Sequence, residues 1–279
     1  MADGRINEFR RGELRFPVVD SGPLDGPVAV LLHGFPQTAT SWSKVAEILN
    51  GNGIRTIAPN QRGYASGAAP KRRWAYRNSE LVADIRELID QIGGPVHIVG
   101  HDWGANVAWS IAGLHPDQVR TLTAVSVPHS AAFIRAVLTS DQARRSWYML
   151  AFQPPKIPEL SIRLRPAFFD AMLTKTGMTA EMVAQVHTDI IDTVGLTGPL
   201  NWYRGLPFAN RRGIKRVKVP TTYVWSDGDT ALGSTGAHLT EQYVDGPYRF
   251  ETLSGASHWI PDERPAELAQ IITETIGSG

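Results

Sequence analysis

Short apolar runs alternate with longer stretches of helical periodicity along most of the chain. This is how a parallel sheet covered by helices on both faces is written. The runs VAVLLHG (28–34), IRTIAPN (54–60), VHIVGH (96–101), TLTAVSVP (121–128) and TTYVWSD (221–227) read as buried strands, and RFETL (249–253) as the last strand. GELRFPVVDSG (12–22) reads as an outer antiparallel strand, with Pro17 tolerable at an edge. Between strands, residues 79–92 place Leu81, Ile85, Leu88 and Ile92 on one helical face, with Ser79 in a capping position. Residues 106–114 and 265–276 predict two more helices.

The alternation stops from 129 to 218. This segment has no convincing strand, and its prolines at 154, 155, 158, 166, 199 and 207 break it into short helices and loops. A helical insertion of this kind is most simply a cap over the C-terminal edge of the sheet, where α/β sites lie. The expected organisation is therefore a core in two parts, 1–128 and 219–279, around a helical cap at 129–218. From 130 to 215 there are 11 Lys/Arg and 6 Asp/Glu, taken as a solvated outer face rather than an anion-binding surface.

Composition narrows the chemistry. The 279 residues include no cysteine, which excludes disulfides, thiolate metal sites and a cysteine nucleophile. A formal charge of +1 gives no reason to expect a nucleic-acid partner. The N-terminal stretch is polar rather than signal-like, and no run approaches the roughly 20 apolar residues of a membrane span. These features lead to the expectation of a cytoplasmic protein without membrane insertion, its oligomeric state open.

The stretch GHDWGA (100–105) sits between the strand VHIVGH and a helix, with small residues on both sides of Asp102. A tight turn of this kind resembles the nucleophile elbow of the α/β-hydrolase fold, with aspartate where a serine usually stands. A carboxylate with a reference pKa of about 4 is already ionised at neutral pH, and the helix N-terminus favours the anion. It can attack an electrophilic carbon without a base, although an aspartate there could instead merely cap the helix. In that fold the HGFPQ loop (33–37) supplies one oxyanion-hole N–H and the residue after the nucleophile the other, here Phe35 and Trp103. VWSDGDTAL (224–232) offers Asp229, or alternatively Asp227, as the acid, and GASHW (255–259) offers His258. Asp229 is preferred because the loop should carry the acid beyond the strand end. The order nucleophile, acid, histidine is that of α/β-hydrolases.

Taken together, HGFPQ, GHDWGA and GASHW resemble the motifs of the epoxide hydrolase family of the α/β-hydrolase superfamily, and the likeness spans nearly the whole chain. WYMLAFQPPKIPE (147–159) and LNWYRG (200–205) are similar to that family's two cap segments, which carries its ring-opening tyrosines onto Tyr148 and Tyr203. The resemblance implies a small, apolar epoxide as substrate, bound by Phe35, Trp103, Tyr148 and Tyr203, with no metal or cofactor. It also implies attack by Asp102 to give an alkyl-enzyme ester, hydrolysed by water that His258 activates. Asn60, Ala65 and Ser226 depart from the family pattern, standing where an acid, a glycine and a frequent glycine are expected. Trp147, Phe152, Phe168, Phe169, Trp202 and Phe208 are candidates for an apolar pocket. A haloalkane dehalogenase shares the first chemical step, with Trp103 and Trp202 as candidate halide donors. A non-catalytic binding protein on the same fold is the alternative from another class.

Overall fold

The computed structural model describes residues 4–209 and 214–279. The start of the polar N-terminal stretch, and residues 210–213 of the expected cap with Arg211 and Arg212, lie outside the described residues. The strands are β1 (Glu8–Arg11), β2 (Leu14–Ser21), β3 (Val28–Leu32), β4 (Arg55–Pro59), β5 (Val96–His101), β6 (Val119–Val125), β7 (Thr221–Ser226) and β8 (Tyr248–Leu253). They form one sheet in the order β1-β2-β4-β3-β5-β6-β7-β8. Every pairing from β4 to β8 is parallel, and the two pairings made by β2 are antiparallel.

Burial explains the sequence pattern. All residues of β5 and β7 are buried, because helices cover both faces and no position is left for a polar side chain facing water. Helices α1 (Ser43–Gly51) and α13 (Pro265–Gly277) seal one face through Val45, Leu49, Leu268 and Ile272. Helices α2 (Asn78–Ile92) and α3 (Trp103–Leu114) seal the other through Leu81, Ile85, Leu88, Val107 and Ile111. Only the β1–β2 corner shows inside–outside alternation, where Phe9 and Phe16 stack at 4.5 Å between ring centres.

Three local expectations change. The sheet edge is β1, not the strand at 12–22, so Pro17 lies between two strands. It is tolerated because it falls just past the end of the β2–β4 register, where Asn60 N–H donates to its carbonyl (2.9 Å) and no N–H is required of it. Helix α2 starts one residue before Ser79, with Arg77 in extended geometry at the cap position and the Ser79 hydroxyl accepting from the Arg77 side chain. Helix α3 starts at Trp103, directly after Asp102, rather than at Asn106.

Between β6 and β7 the chain forms α4 (Ser130–Thr139), α5 (Gln142–Arg145), α6 (Trp147–Ala151), α7 (Ile157–Leu164), α8 (Pro166–Lys175), α9 (Ala180–Val186) and α10 (Thr197–Gly205). Pro158 and Pro166 open α7 and α8, at positions where a missing N–H leaves no helical bond unmade. The described residues of this segment contain no strand, only a single bridge from Val217 to Val244. Beyond β7, α11 (Ser234–Leu239) packs on α4, and α12 (Ile260–Glu263) leads into α13. Among the described residues no helix is long and apolar enough to cross a membrane.

Candidate active site

Asp102 connects β5 to α3 at φ 51° and ψ −120°, a conformation that a non-glycine residue holds only when its surroundings enforce it. The neighbours provide for it. A side chain at Gly104 would collide with the Leu32 carbonyl, so glycine lets α3 start against β3, and one at Gly34 would strike the Asp102 carboxylate itself. The carboxylate makes no capping bond to α3. Instead Oδ1 accepts from the Phe35 N–H at 2.8 Å, and Oδ2 lies 3.6 Å from His258 Nε2. The Trp103 N–H is the first of α3, one of the donors that no intrahelical carbonyl satisfies.

His258 is positioned through its backbone as well as its ring. Its carbonyl accepts from His101 Nε2 (2.9 Å) and from Ser126 Oγ (3.0 Å). Ser226 Oγ donates to the adjacent Ser257 carbonyl at 2.8 Å, so this departure from the family pattern tethers the histidine loop. The ring nitrogen Nδ1 meets Asp229 Oδ2 at 2.7 Å, while Asp229 Oδ1 accepts from the N–H groups of Ala231 and Leu232. Asp227 is exposed and bonds to Gly255 N–H, so Asp229 is the carboxylate on His258.

Charge follows from this arrangement. Burial alone would push the His258 imidazole down, but Asp229 and then Asp102 outweigh it and raise its pKa to about 10. Burial likewise works against the Asp102 anion, yet His258 and the Phe35 N–H hold its pKa below the usual carboxylate value. His101 is pushed down to about 4 by burial and by the neighbouring His258. It is therefore neutral, with its proton on the Nε2 that bonds to the His258 carbonyl. His33 is also lowered to about 4 by burial, and its Nε2 accepts from Gln61 N–H at 3.1 Å, fixing the loop that carries Phe35.

Facing Asp102, a cavity of about 490 Å³ opens under α6, α8 and α10. Tyr148 on α6 and Tyr203 on α10 both line it, with ring centres 6.0 Å apart. Enclosure of each phenol and the Asp102 charge raise both pKa values above the ordinary tyrosine value, so both stay protonated at neutral pH. Phe35 and Trp103 both meet Tyr203 edge-on, at 5.3 and 5.1 Å between ring centres. The Trp202 indole donates to the Arg62 carbonyl at 2.6 Å, behind the cavity rather than into it.

Of the six aromatic candidates for the pocket, Trp147 and Phe152 line the cavity. Phe169 and Trp202 are buried in packing elsewhere, and Phe168 and Phe208 face solvent, because helical periodicity identifies a helix face without saying what that face meets. Met172, Leu173 and Trp259 complete the apolar wall, and Arg144, Arg145 and Lys175 stand at its polar side. The departures at 60 and 65 are accommodated. Asn60 Oδ1 accepts from Ala39 N–H at 2.9 Å, and Ala65 is extended at φ −144°, where glycine has no advantage.

Residues 29–271 match the alpha/beta hydrolase family. The chain is 34% identical over 273 residues to Epoxide hydrolase 3 of Xenopus tropicalis, covering 94% of this chain and 74% of that protein. It is 32% identical to Epoxide hydrolase A of Mycobacterium tuberculosis, covering 94% of both. The crystal structure of Epoxide Hydrolase A from Mycobacterium thermoresistibile superposes with a TM-score of 0.82 at 28% identity, covering 97% of each chain. The fold and the elbow define an α/β-hydrolase. Within that superfamily the chain belongs to the epoxide hydrolase family.

Proposed function

We propose that this protein converts an epoxide to a vicinal diol through a covalent ester on Asp102. The observation that carries this reading is the pair of protonated phenols, Tyr148 and Tyr203, on the same cavity as the ionised Asp102. A carboxylate oxygen of Asp102 attacks a ring carbon, and the breaking C–O bond leaves its electron pair on the ring oxygen. The two tyrosine hydroxyls bind that oxygen and supply its proton. Water then attacks the ester carbonyl of residue 102 while His258, oriented by Asp229, takes the proton. The Phe35 and Trp103 N–H groups hold the tetrahedral oxyanion until it collapses to free carboxylate and diol. In this reading residues 129–218 form a cap that carries the two phenols over a core made of 1–128 and 219–279. The apolar wall suits an apolar epoxide. The Trp202 indole is engaged by the Arg62 carbonyl, which argues against its serving as a donor to a leaving halide.

A panel of aliphatic, aryl and fatty-acid epoxides, with haloalkanes in parallel, tests the proposal by diol formation against halide release. Diol without halide is expected. Removing one phenol, Tyr148→Phe or Tyr203→Phe, should slow ring opening about 10²- to 10⁴-fold at most, and the double change should nearly abolish it. Halide release that survives the double change would establish a dehalogenase. Tight epoxide binding without turnover would establish a binding protein.

A further inference from the structure

Helices α6, α7 and α8 present large apolar side chains to solvent. Leu150 is 77% exposed, Leu164 and Phe168 are each 67% exposed, and Trp147, Ile157 and Leu160 are also exposed. On α7 the positions 157, 160 and 164 form one stripe, while Pro158 and Ile162 are buried on the other side. The helix is thus apolar on two faces, where a solvated helix would be polar outside. Exposed apolar chains concentrated in this way mark an interaction surface rather than scatter.

The charges among them are mostly basic. Residues 141–175 carry Arg144, Arg145, Lys156, Arg163, Arg165 and Lys175 against Asp141, Glu159 and Asp170, and Asp141 pairs with Arg144 and Arg145. The other two acids are also engaged, Glu159 by Arg204 at 2.7 Å and Asp170 by His187 at 2.8 Å. Lys156, Arg163 and Arg165 are exposed and have no carboxylate partner among the described residues. The basic excess read as a solvated face is therefore interleaved with apolar anchors, which counting charges along the sequence does not reveal.

We propose that the outer face of α6, α7 and α8 docks onto an anionic lipid bilayer at the mouth of the active-site cavity. Apolar chains with a tryptophan, ringed by unpaired cations, are the composition that lies in a headgroup layer without crossing the membrane. A second copy of the chain is the poorer occupant, because a two-fold contact would set this cationic face against itself. Arg144, Trp147 and Lys175 belong to the cavity wall as well, so the surface borders the entrance. An apolar substrate dissolved in the bilayer would enter without passing through water. The surface binds lipid whatever reaction the cavity performs, so its test does not depend on turnover.

The test is co-sedimentation of the full chain with phosphatidylglycerol vesicles and, in parallel, phosphatidylcholine vesicles. Binding to the anionic vesicles is expected, weakening as salt is added. Each cation near a charged surface is worth about five-fold in binding, so combining Lys156→Gln, Arg163→Gln and Arg165→Gln should weaken it on the order of a hundredfold. Leu150→Asp with Leu164→Asp should abolish it. The triple glutamine variant disturbs no apolar contact, so it decides the matter even if the aspartate variant folds poorly. Wild-type protein held by anionic vesicles no better than the triple variant overturns the proposal. So does a dimer in sedimentation equilibrium that Leu150→Asp dissociates, with no vesicle binding by the monomer.

Discussion

At the scale of single residues, the pairing of Asp102 with His258 sets the order of events on the proposed route. An imidazole raised to about 10 by two carboxylates is an imidazolium at neutral pH and cannot accept a proton from water. On the proposed route, esterification removes the Asp102 charge and with it one of the two causes that hold the proton, so His258 gives up its proton more readily once an ester is there to hydrolyse. Asp102→Asn imitates that loss. It should lower the His258 midpoint by about one pKa unit or more, since a nearby opposite charge typically shifts a group by that much. Histidine NMR on the two proteins checks this, and an unchanged midpoint would leave Asp229 as the sole determinant. The companion prediction concerns His258→Gln, which leaves the nucleophile and phenols in place. Such a variant should consume about one equivalent of epoxide and stop, with the substrate's mass retained on Asp102 by mass spectrometry. A folded variant that leaves epoxide untouched would point to direct attack by water instead. Asp102 and His258 were legible because strand ends and loop order place them. The supports, His101, Ser126 and Ser226, were not, since a histidine or serine at a strand end gives no sign of which carbonyl it will reach.

At the scale of elements, α10 is the piece on which the tyrosine geometry depends. Its Gly198 lies against the backbone of Gly63, so closely that a side chain on either would strike the other. Trp202 donates to the Arg62 carbonyl, and the Arg62 guanidinium is held by two 2.6 Å bonds to the buried Asp84. Outward, Gln153 donates to the Tyr203 carbonyl at 2.9 Å and Arg204 binds the Phe152 and Pro154 carbonyls, tying the α6–α7 link to α10. Tyr203 is therefore set from the core, and Tyr148 partly through Tyr203's own helix. Gly198→Ala should push α10 away by a fraction of an ångström. Because misplacement of about 1 Å costs on the order of 10²-fold in rate, kcat should fall roughly 10- to 100-fold with little change in KM. Gly51→Ala, at an open position at the end of α1, is the control and should leave kcat unchanged. Equal effects at both positions would remove α10 docking as the cause. The strands of the core were legible to within a few residues because burial on both faces writes them as apolar runs. Strand β1 was not. EFRR has one buried residue, and only its pairing with β2 makes it a strand. The docking of α10 was equally hidden, since glycine contacts across 135 positions leave no periodicity.

At the scale of the whole molecule, four buried histidines, His33, His97, His101 and His258, fall into two groups with opposite linkage to pH. Burial lowers His33, His97 and His101 each to about 4, below the unfolded value of 6.5. Between those values the unfolded chain binds protons that the folded chain refuses, so their contribution to stability is present above pH 6.5 and is lost as pH falls through about 4. His258 behaves oppositely. Its raised pKa gives stability that is complete below 6.5 and lost as pH rises towards about 10. Paired carboxylates such as Asp20 and Glu159, held below their usual values by Arg55 and Arg204 against the effect of burial, add their loss at lower pH still. The urea midpoint of unfolding should therefore peak near neutrality and fall on both sides. His97 allows the acid limb to be assigned, because it bonds to Thr121 at 2.9 Å within the sheet, away from the cavity wall. In His97→Gln the acid limb should lose about one proton's worth of slope while diol formation is unaffected. In His258→Gln the alkaline limb should flatten while the acid limb stays. A midpoint that is level from about pH 7 to pH 5, or an acid limb indifferent to His97→Gln, would mean that the buried histidines take up no extra protons on unfolding. Acid sensitivity would then rest with the paired carboxylates alone.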